Sequence, residues 1–354
     1  KIIGDFMKKF DYSLLEYKKY DMETLQLISH IYMYKDKQYD KKGLNTLASI
    51  ADIQTVYASN AIEDVYTSNA RLRKICTQRD IELKNDSEKI IKGYYDVLQI
   101  IYTSYEHIPL QSHFILQMHK DLYKYTHQEA GTFKNIQNYI NATDENGNSH
   151  TLFTPLTPYE TLEAMDSICI SYNECIQTNK VEPLILIPTF INDFLCVHPF
   201  LHGSGKMSRL LMDLLLMRSG YYIGNYISLE RKILEQKKEY YEALMKCHDH
   251  WKKNEEDDTE FIKFMLRIIL SSYEELDCKM KNSSFKKSAY EQVSECISNY
   301  EVFTKSDIME NCPMVSQKSI EACLKRLQDE NKITKQATGR ATFYKKLDLK
   351  PEKE

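Results

Sequence analysis

The sequence predicts a mainly α fold: a core of packed helices carrying one β-hairpin, followed by a small module of three helices and a second hairpin. Three observations carry this. Glycine and proline number only 10 and 8 in 354 residues, too few to break the chain into short strands and turns. Apolar residues recur at three- and four-residue spacing along most of the chain. Only two stretches switch to turn-rich, strand-like runs.

Taken in order, Leu14, Leu15, Tyr17 and Tyr20, then Leu25, Leu27, Ile28 and Ile31, fall at helical spacing. Further periodic stretches cover Leu44–Ile62, Ile90–Tyr105 and Phe114–Tyr125. The pattern changes at Asn138–Ile140 and Thr151–Phe153, which flank NATDENGNSH, and its Asn146-Gly147 pair is a strong hairpin dipeptide. Leu184–Val197 is almost continuously apolar, broken at Asn192 and Asp193, and predicts a buried central helix with Pro188 near its first turns. A loop at His198–Gly205, a second apolar helix over Leu210–Leu216, and a charged pair over Ile227–His250 and Glu256–Leu276 follow.

Residues 279–288, KMKNSSFKKS, predict a polar linker. Beyond it, Tyr290–Ser298, Lys305–Asn311 and Ser316–Asn331 predict three short helices, and KITKQATGRATFYKKL predicts two strands around Thr338-Gly339. Three helices and a hairpin make a winged-helix arrangement. The expected division is therefore 1–105 for N-terminal helices, 106–278 for the core, 279–288 for the linker and 289–354 for the winged-helix-like module.

Composition narrows the function classes. A net charge of −4 is too small to steer nucleic acid or a membrane surface by itself. The 26 tyrosines suit half-buried faces between helices, and are read as packing. Nine cysteines, odd in number and without a CxxC pair, fit reduced thiols in a cytoplasmic protein better than disulfides or a zinc site. No run approaches the roughly 18 apolar residues of a membrane span. The opening KIIGDFMKKF has no secretory apolar region and no initiator Met, which leaves room for a trimmed segment. His248-Asp249-His250 is expected to be a helix end with exposed imidazoles.

The chemistry concentrates in HPFLHGSGKMSR, residues 198–209. Gly203 and Gly205 permit backbone conformations and close approaches denied to other residues. A helix starting near Lys206 aims unpaired amides and its positive dipole end at the same spot, and Lys206 and Arg209 add two cations. Polyphosphate is the ligand such a site suits. Across the loop, His198 offers a neutral imidazole that can accept a proton.

This stretch resembles the signature of the Fic family, HPFx(D/E)GNGRxxR. Six of its nine fixed positions are met, by His198, Pro199, Phe200, Gly203, Gly205 and Arg209. The resemblance covers roughly residues 50–275 and implies a Fic-like helical core with a hairpin flap. It also implies an ATP substrate and AMP transfer to a Ser, Thr or Tyr hydroxyl of a protein, the chain itself included. Carried over, His198 is the general base, Gly203 and Gly205 shape the anion hole with Ser204 and Lys206 beside them, and Arg209 holds the γ-phosphate. Asn138, Tyr139, Ile140, Thr151, Leu152 and Phe153 form the flap that docks the target by edge pairing.

Three positions depart from that signature. His202 stands where the family has its acidic Mg²⁺ ligand, and an imidazole suits a hard cation poorly, so Mg²⁺ dependence is expected to be altered, with His202 on phosphate instead. Ser204 replaces an Asn, and Lys206 exchanges a planar fork for a point charge. Upstream, SNAIED matches the family's inhibitory helix (S/T)xxxE(G/N) at Ser59 and Glu63, while Asp64 departs from Gly or Asn. The resemblance implies that Glu63 pairs with Arg209 and displaces the γ-phosphate. Removal of AMP, transfer of another phosphate-containing group, and a nucleotide-binding pseudoenzyme or regulator stay open beside AMP transfer.

From Lys286 to Glu354 there are 13 Lys+Arg and 11 Asp+Glu, a net of 13 − 11 = +2. Lys318, Lys325 and Arg326 fall on the third helix of the module, and Lys335, Arg340, Lys345 and Lys346 fall on or beside its hairpin. That pattern fits a DNA-reading helix with a basic wing and also a packing module with ordinary solvated lysines, which the mild charge slightly favours. Weak DNA contact, target positioning or homodimer formation is the expected role.

Overall fold

Short polar side chains mark where the helices begin. Asp21, Ser68 and Asn85 each accept a hydrogen bond from the amide three residues on, which satisfies one of the donors a helix start leaves unpaired. Thr157 does the same in a capping box with Glu160. The structure, a computed structural model, describes residues 8–347 apart from 79, 144–148, 285–287, 299, 313–314 and 339–340. Asn146-Gly147, Gly339 and Arg340 lie outside the described residues.

The helices up to the hairpin are α1 (Met22–Lys35), α2 (Lys41–Ile62), α3 (Asn69–Thr77), α4 (Asp86–Ser104) and α5 (Ser112–Leu122). Strands β1 (Ile140–Thr143) and β2 (Ser149–Phe153) follow. Then come α6 (Pro158–Thr178), α7 (Pro183–Val197), α8 (Ser204–Arg218), α9 (Leu229–Glu235), α10 (Lys237–His248) and α11 (Thr259–Ser284). The last elements are α12 (Ala289–Ser298), β3 (Val302–Thr304), α13 (Lys305–Asn311), α14 (Gln317–Asp329), β4 (Ile333–Thr338) and β5 (Ala341–Lys346). The chain divides into two compact units: the residues through Gln38 with Leu47–Leu276, and Tyr39–Thr46 with the residues from Asp277 on.

In the first unit α7 is buried from Leu184 to Val197, and α6 and α8 pack on it. Asn192 and Asp193, which interrupt its apolar run, are buried too. Asn192 Nδ2 donates to Asp258 Oδ1 at 3.0 Å, and Asp193 accepts from Tyr12 Oη at 2.8 Å and Trp251 Nε1 at 2.6 Å. Burial pushes the Asp193 carboxyl up to about 6. A helix that is apolar on nearly every face thus carries Asn192 and Asp193 as internal ties. α4 packs on α5 and α8, so the α7–α8 connection is enclosed by rigid elements.

Several boundaries differ from the sequence reading. The predicted helix over 227–250 is two helices, because Gln236, at φ −119° and ψ 36°, leaves the helical region. α11 continues to Ser284, over residues read as linker, with Tyr273, Leu276 and Met280 buried at helical spacing. Polar composition alone does not end a helix whose apolar stripe persists.

The second unit has its own core, which includes Val293, Phe303, Ile308, Ile320, Leu324, Leu327, Ile333 and Tyr344. Where the sequence pattern implies a two-strand hairpin there is a third strand, and the antiparallel order is β3-β5-β4. Phe303 on β3 stacks on Tyr344 of β5, ring centres 5.6 Å apart. On the outer face of α14 and its neighbours, Arg326 pairs with Glu330 at 2.8 Å and Lys305 with Glu321 at 2.9 Å. Among the described residues no disulfide joins the cysteines, and no helix is long and apolar enough to cross a membrane.

Candidate functional site

Residues 198–203 join the buried helices α7 and α8, and the backbone there is set by two left-handed positions. His198 caps α7 at φ 47° and ψ 66°, in the left-handed region. Gly203 caps α8 at φ 80°, where an added Cβ would also lie 2.5 Å from Tyr123 Oη, so both backbone and space require glycine. At Gly205 a Cβ would lie 2.7 Å from Glu63 Oε1. α8 begins at Ser204, two residues before the expected start. Its first helical bond runs from Met207 N–H to the Gly203 carbonyl, at 2.9 Å. The amides of Ser204, Gly205 and Lys206 therefore precede the ladder and point out of the helix start.

The cationic end is closed by Glu63. Its Oε1 accepts from Arg209 Nη2 at 2.6 Å and its Oε2 from Lys206 Nζ at 2.5 Å. Arg209 also donates from Nε to Ser59 Oγ at 2.7 Å and from Nη2 to the Ser59 carbonyl at 2.9 Å. Burial disfavours the Glu63 carboxylate, but Arg209 and Lys206 outweigh it and hold the group below its usual range. Burial likewise lowers Lys206, only partly offset by Glu63. Glu63 is not on the helix proper. α2 ends at Ile62, and Glu63 sits in the turn behind it, where Val65 N–H closes on the Asn60 carbonyl at 3.0 Å. That turn puts Asp64 at φ 56°, a left-handed conformation that Gly or Asn takes more readily.

The His198 end is arranged differently. Burial first, then the Lys134 ammonium, pushes the imidazole down to about 4, so it is neutral at ordinary pH. The nearby Leu195 carbonyl favours the protonated ring but does not offset burial. Phe200 is fully buried and stacks flat on His119, ring centres 3.7 Å apart and planes 2° from parallel. His119 Nδ1 accepts from Gly131 N–H at 3.0 Å, so Nε2 carries the proton and donates to the His202 carbonyl, also at 3.0 Å. Ser204 is buried and its Oγ accepts from Phe200 N–H at 3.1 Å. The His202 side chain is exposed.

Of the expected flap residues, Ile140, Thr151, Leu152 and Phe153 lie in β1 and β2. A register shift between Ile140 and Asn141 leaves Leu152 unpaired. Tyr139 precedes the strand and is exposed. Asn138 is not a strand residue either. Its amide turns inward, Nδ2 donating to the carbonyls of His198 at 3.2 Å and Phe200 at 3.1 Å. His248, expected in solvent, lies against Phe153 with ring centres 4.3 Å apart, and neither ring nitrogen has a partner among the described residues. Burial lowers it to about 4.

Sequence reasoning missed Lys134, His119 and Tyr123. Nothing in GTFKN marks Lys134, whereas His119 carries a faint signal: it occupies the buried face of α5 with Ile115, Met118 and Leu122.

The Fic/DOC family model matches residues 109–216, from just before α5 almost to the end of α8. Protein adenylyltransferase fic-1 of Caenorhabditis elegans is 29% identical over 119 residues, 33% of this chain and 21% of that protein, so only about a fifth of that relative's length is spanned. A Fido domain-containing protein of Dictyostelium discoideum is 30% identical over 117 residues, 33% of this chain and 74% of its own. The crystal structure of a Fic family protein from Desulfovibrio desulfuricans has the same fold, with a TM-score of 0.61 over 95% of this chain and 99% of that one at 15% identity. A helical core, a short hairpin and a histidine loop ahead of a buried helix thus coincide with likeness in sequence, and the chain belongs to the Fic/DOC family.

Proposed function

We propose that this chain transfers AMP from ATP to a hydroxyl side chain of a protein, itself included, and that Glu63 restrains the reaction. The observation that supports this best is the carboxylate seated between Lys206 and Arg209 at the start of α8. It stands in for the negative charge that the amides and cations attract, and a γ-phosphate competes for the same partners. His198 takes the proton of the acceptor hydroxyl. The hydroxyl oxygen bonds to the α-phosphorus, the bond to the bridging oxygen breaks, and pyrophosphate leaves. An imidazole that burial keeps neutral suits that role.

Glu63 is a weak candidate for activating water in the reverse reaction, since two cations keep its carboxylate poorly basic. At the position where the family has its metal ligand, His202 offers a single exposed imidazole, and among the described residues no group of three or more His, Cys, Asp or Glu could hold a metal. That donor does not fit a hard divalent cation.

Labelled ATP tests the reading. Label is expected on protein, more with Glu63→Gly than with the native chain, and none with His198→Ala. A Glu63→Gly chain that binds ATP in calorimetry yet leaves protein unlabelled would refute transfer, and one with no affinity for nucleotide would refute the whole reading.

A further inference from the structure

Four consecutive carbonyls, from Val197 to Phe200, each accept a hydrogen bond from a donor in one short segment. Lys134 Nζ donates to Val197 O at 2.9 Å, and Lys134 N–H donates to Pro199 O at 2.8 Å. Asn138 Nδ2 donates to His198 O and Phe200 O. Lys134 Nζ also donates to Asn138 Oδ1 at 2.9 Å, which leaves the amide only one orientation, with its donors facing the loop. Lys134 is buried although it carries a charge, and its amine is pushed down to about 8 by burial and then by Lys252. An ammonium held in such a place needs a structural reason. His198 supplies one: a non-glycine residue in the left-handed region stays there only when its surroundings hold it.

We propose that Lys134 and Asn138 are positioning residues for His198, a side-chain clamp that fixes the backbone on both sides of the base. The clamp rests on His198 acting as the base. It touches neither nucleotide cation, since Lys206 and Arg209 are bound by Glu63 and Ser59 instead. The groups that set the charge of His198 are the Lys134 ammonium, the Leu195 carbonyl, Glu63 and His248. Lys134 therefore acts twice, by geometry and by discouraging protonation of the ring.

The test uses the full chain carrying Glu63→Gly, with Lys134→Met and Asn138→Ala added singly and together. Lys134→Met keeps the main-chain bond to Pro199 but removes both ammonium contacts. Tenfold or greater loss of kcat is expected from each, with KM for ATP within twofold. The double variant should cost little more than either single one, because the two side chains act as a unit. Lys134→Arg should restore part of the rate. Independently of activity, NMR titration of the His198 ring should show its pKa rising from about 4 when Lys134 is Met. Additive losses, a raised KM with unchanged kcat, or an unmoved titration would overturn the clamp. Should Lys134→Met fail to fold, the Asn138→Ala kinetics decide. Should no variant transfer AMP at all, the titration still judges the clamp while the base reading falls.

Discussion

The two ends of the His198–Arg209 segment are held by opposite means. At the His198 end the loop offers neutral carbonyls, and Lys134, Asn138 and His119 bring the donors. At the Arg209 end it offers cations, and Glu63 brings the charge. Carbonyls deep in a protein have no competitor, so those bonds stay made. A carboxylate on two cations can be replaced by any better anion. One segment can thus be rigid where a proton must move and exchangeable where a ligand must enter.

The largest effect that would break this contrast lies at the rigid end. His198→Ala in the Glu63→Gly chain should lower transfer by about 10²–10⁴-fold, the usual worth of a positioned base, while leaving ATP affinity alone. Rates from labelled ATP and affinity from calorimetry check both halves, and a parallel loss of affinity would mean that the ends are not separable. Next, Glu63→Gly should tighten ATP binding by about 5–150-fold, the range of a typical coupling between competing occupants. Unchanged affinity would show that Glu63 is a strut like Lys134 and not an exchangeable anion.

A smaller effect concerns acid. His119, His198 and His248 are each lowered to about 4 by burial, below the ordinary 6.5. The unfolded chain therefore binds those protons first. The stability that depends on neutral rings is fully present above about pH 6.5 and is lost as pH falls toward 4. Denaturant unfolding across that window should show the slope, and His248→Phe should flatten it. The same change should add about 1 kcal/mol at pH 7, because it removes two unpaired buried nitrogens. Smallest, Asp64→Gly relieves a left-handed residue in the Glu63 turn and should stabilise by less than about 1 kcal/mol, once the entropy of glycine is counted. A loss there would assign the turn's geometry to Asp64, whose Oδ1 accepts from Tyr66 Oη at 3.1 Å.

Much of the architecture was legible, and the reason is local. Helical periodicity from Leu44 to Ile62 and from Leu184 to Val197 reports which face each helix buries, and Gly203 reports a backbone that only glycine takes easily. What was not legible depended on competition between neighbours. The break at Gln236 leaves no mark in the residue pattern, and the continuation of α11 to Ser284 follows from apolar positions that outlast a polar run. Asn138 reads as a strand residue because its neighbours do, yet two carbonyls some sixty positions away claim its amide.

By itself, the sequence determined the helical class, the place of the hairpin, and the loop whose glycines, histidine and cations lie within twelve residues. Those are short-range properties, set by torsions and by spacing along one chain segment. Only the tertiary structure decided what closes on that loop. Lys134 meets a carbonyl 63 residues on, and Glu63 meets a guanidinium 146 residues on. Side chains so far apart in sequence become neighbours through helix packing, which a single chain's pattern does not spell out.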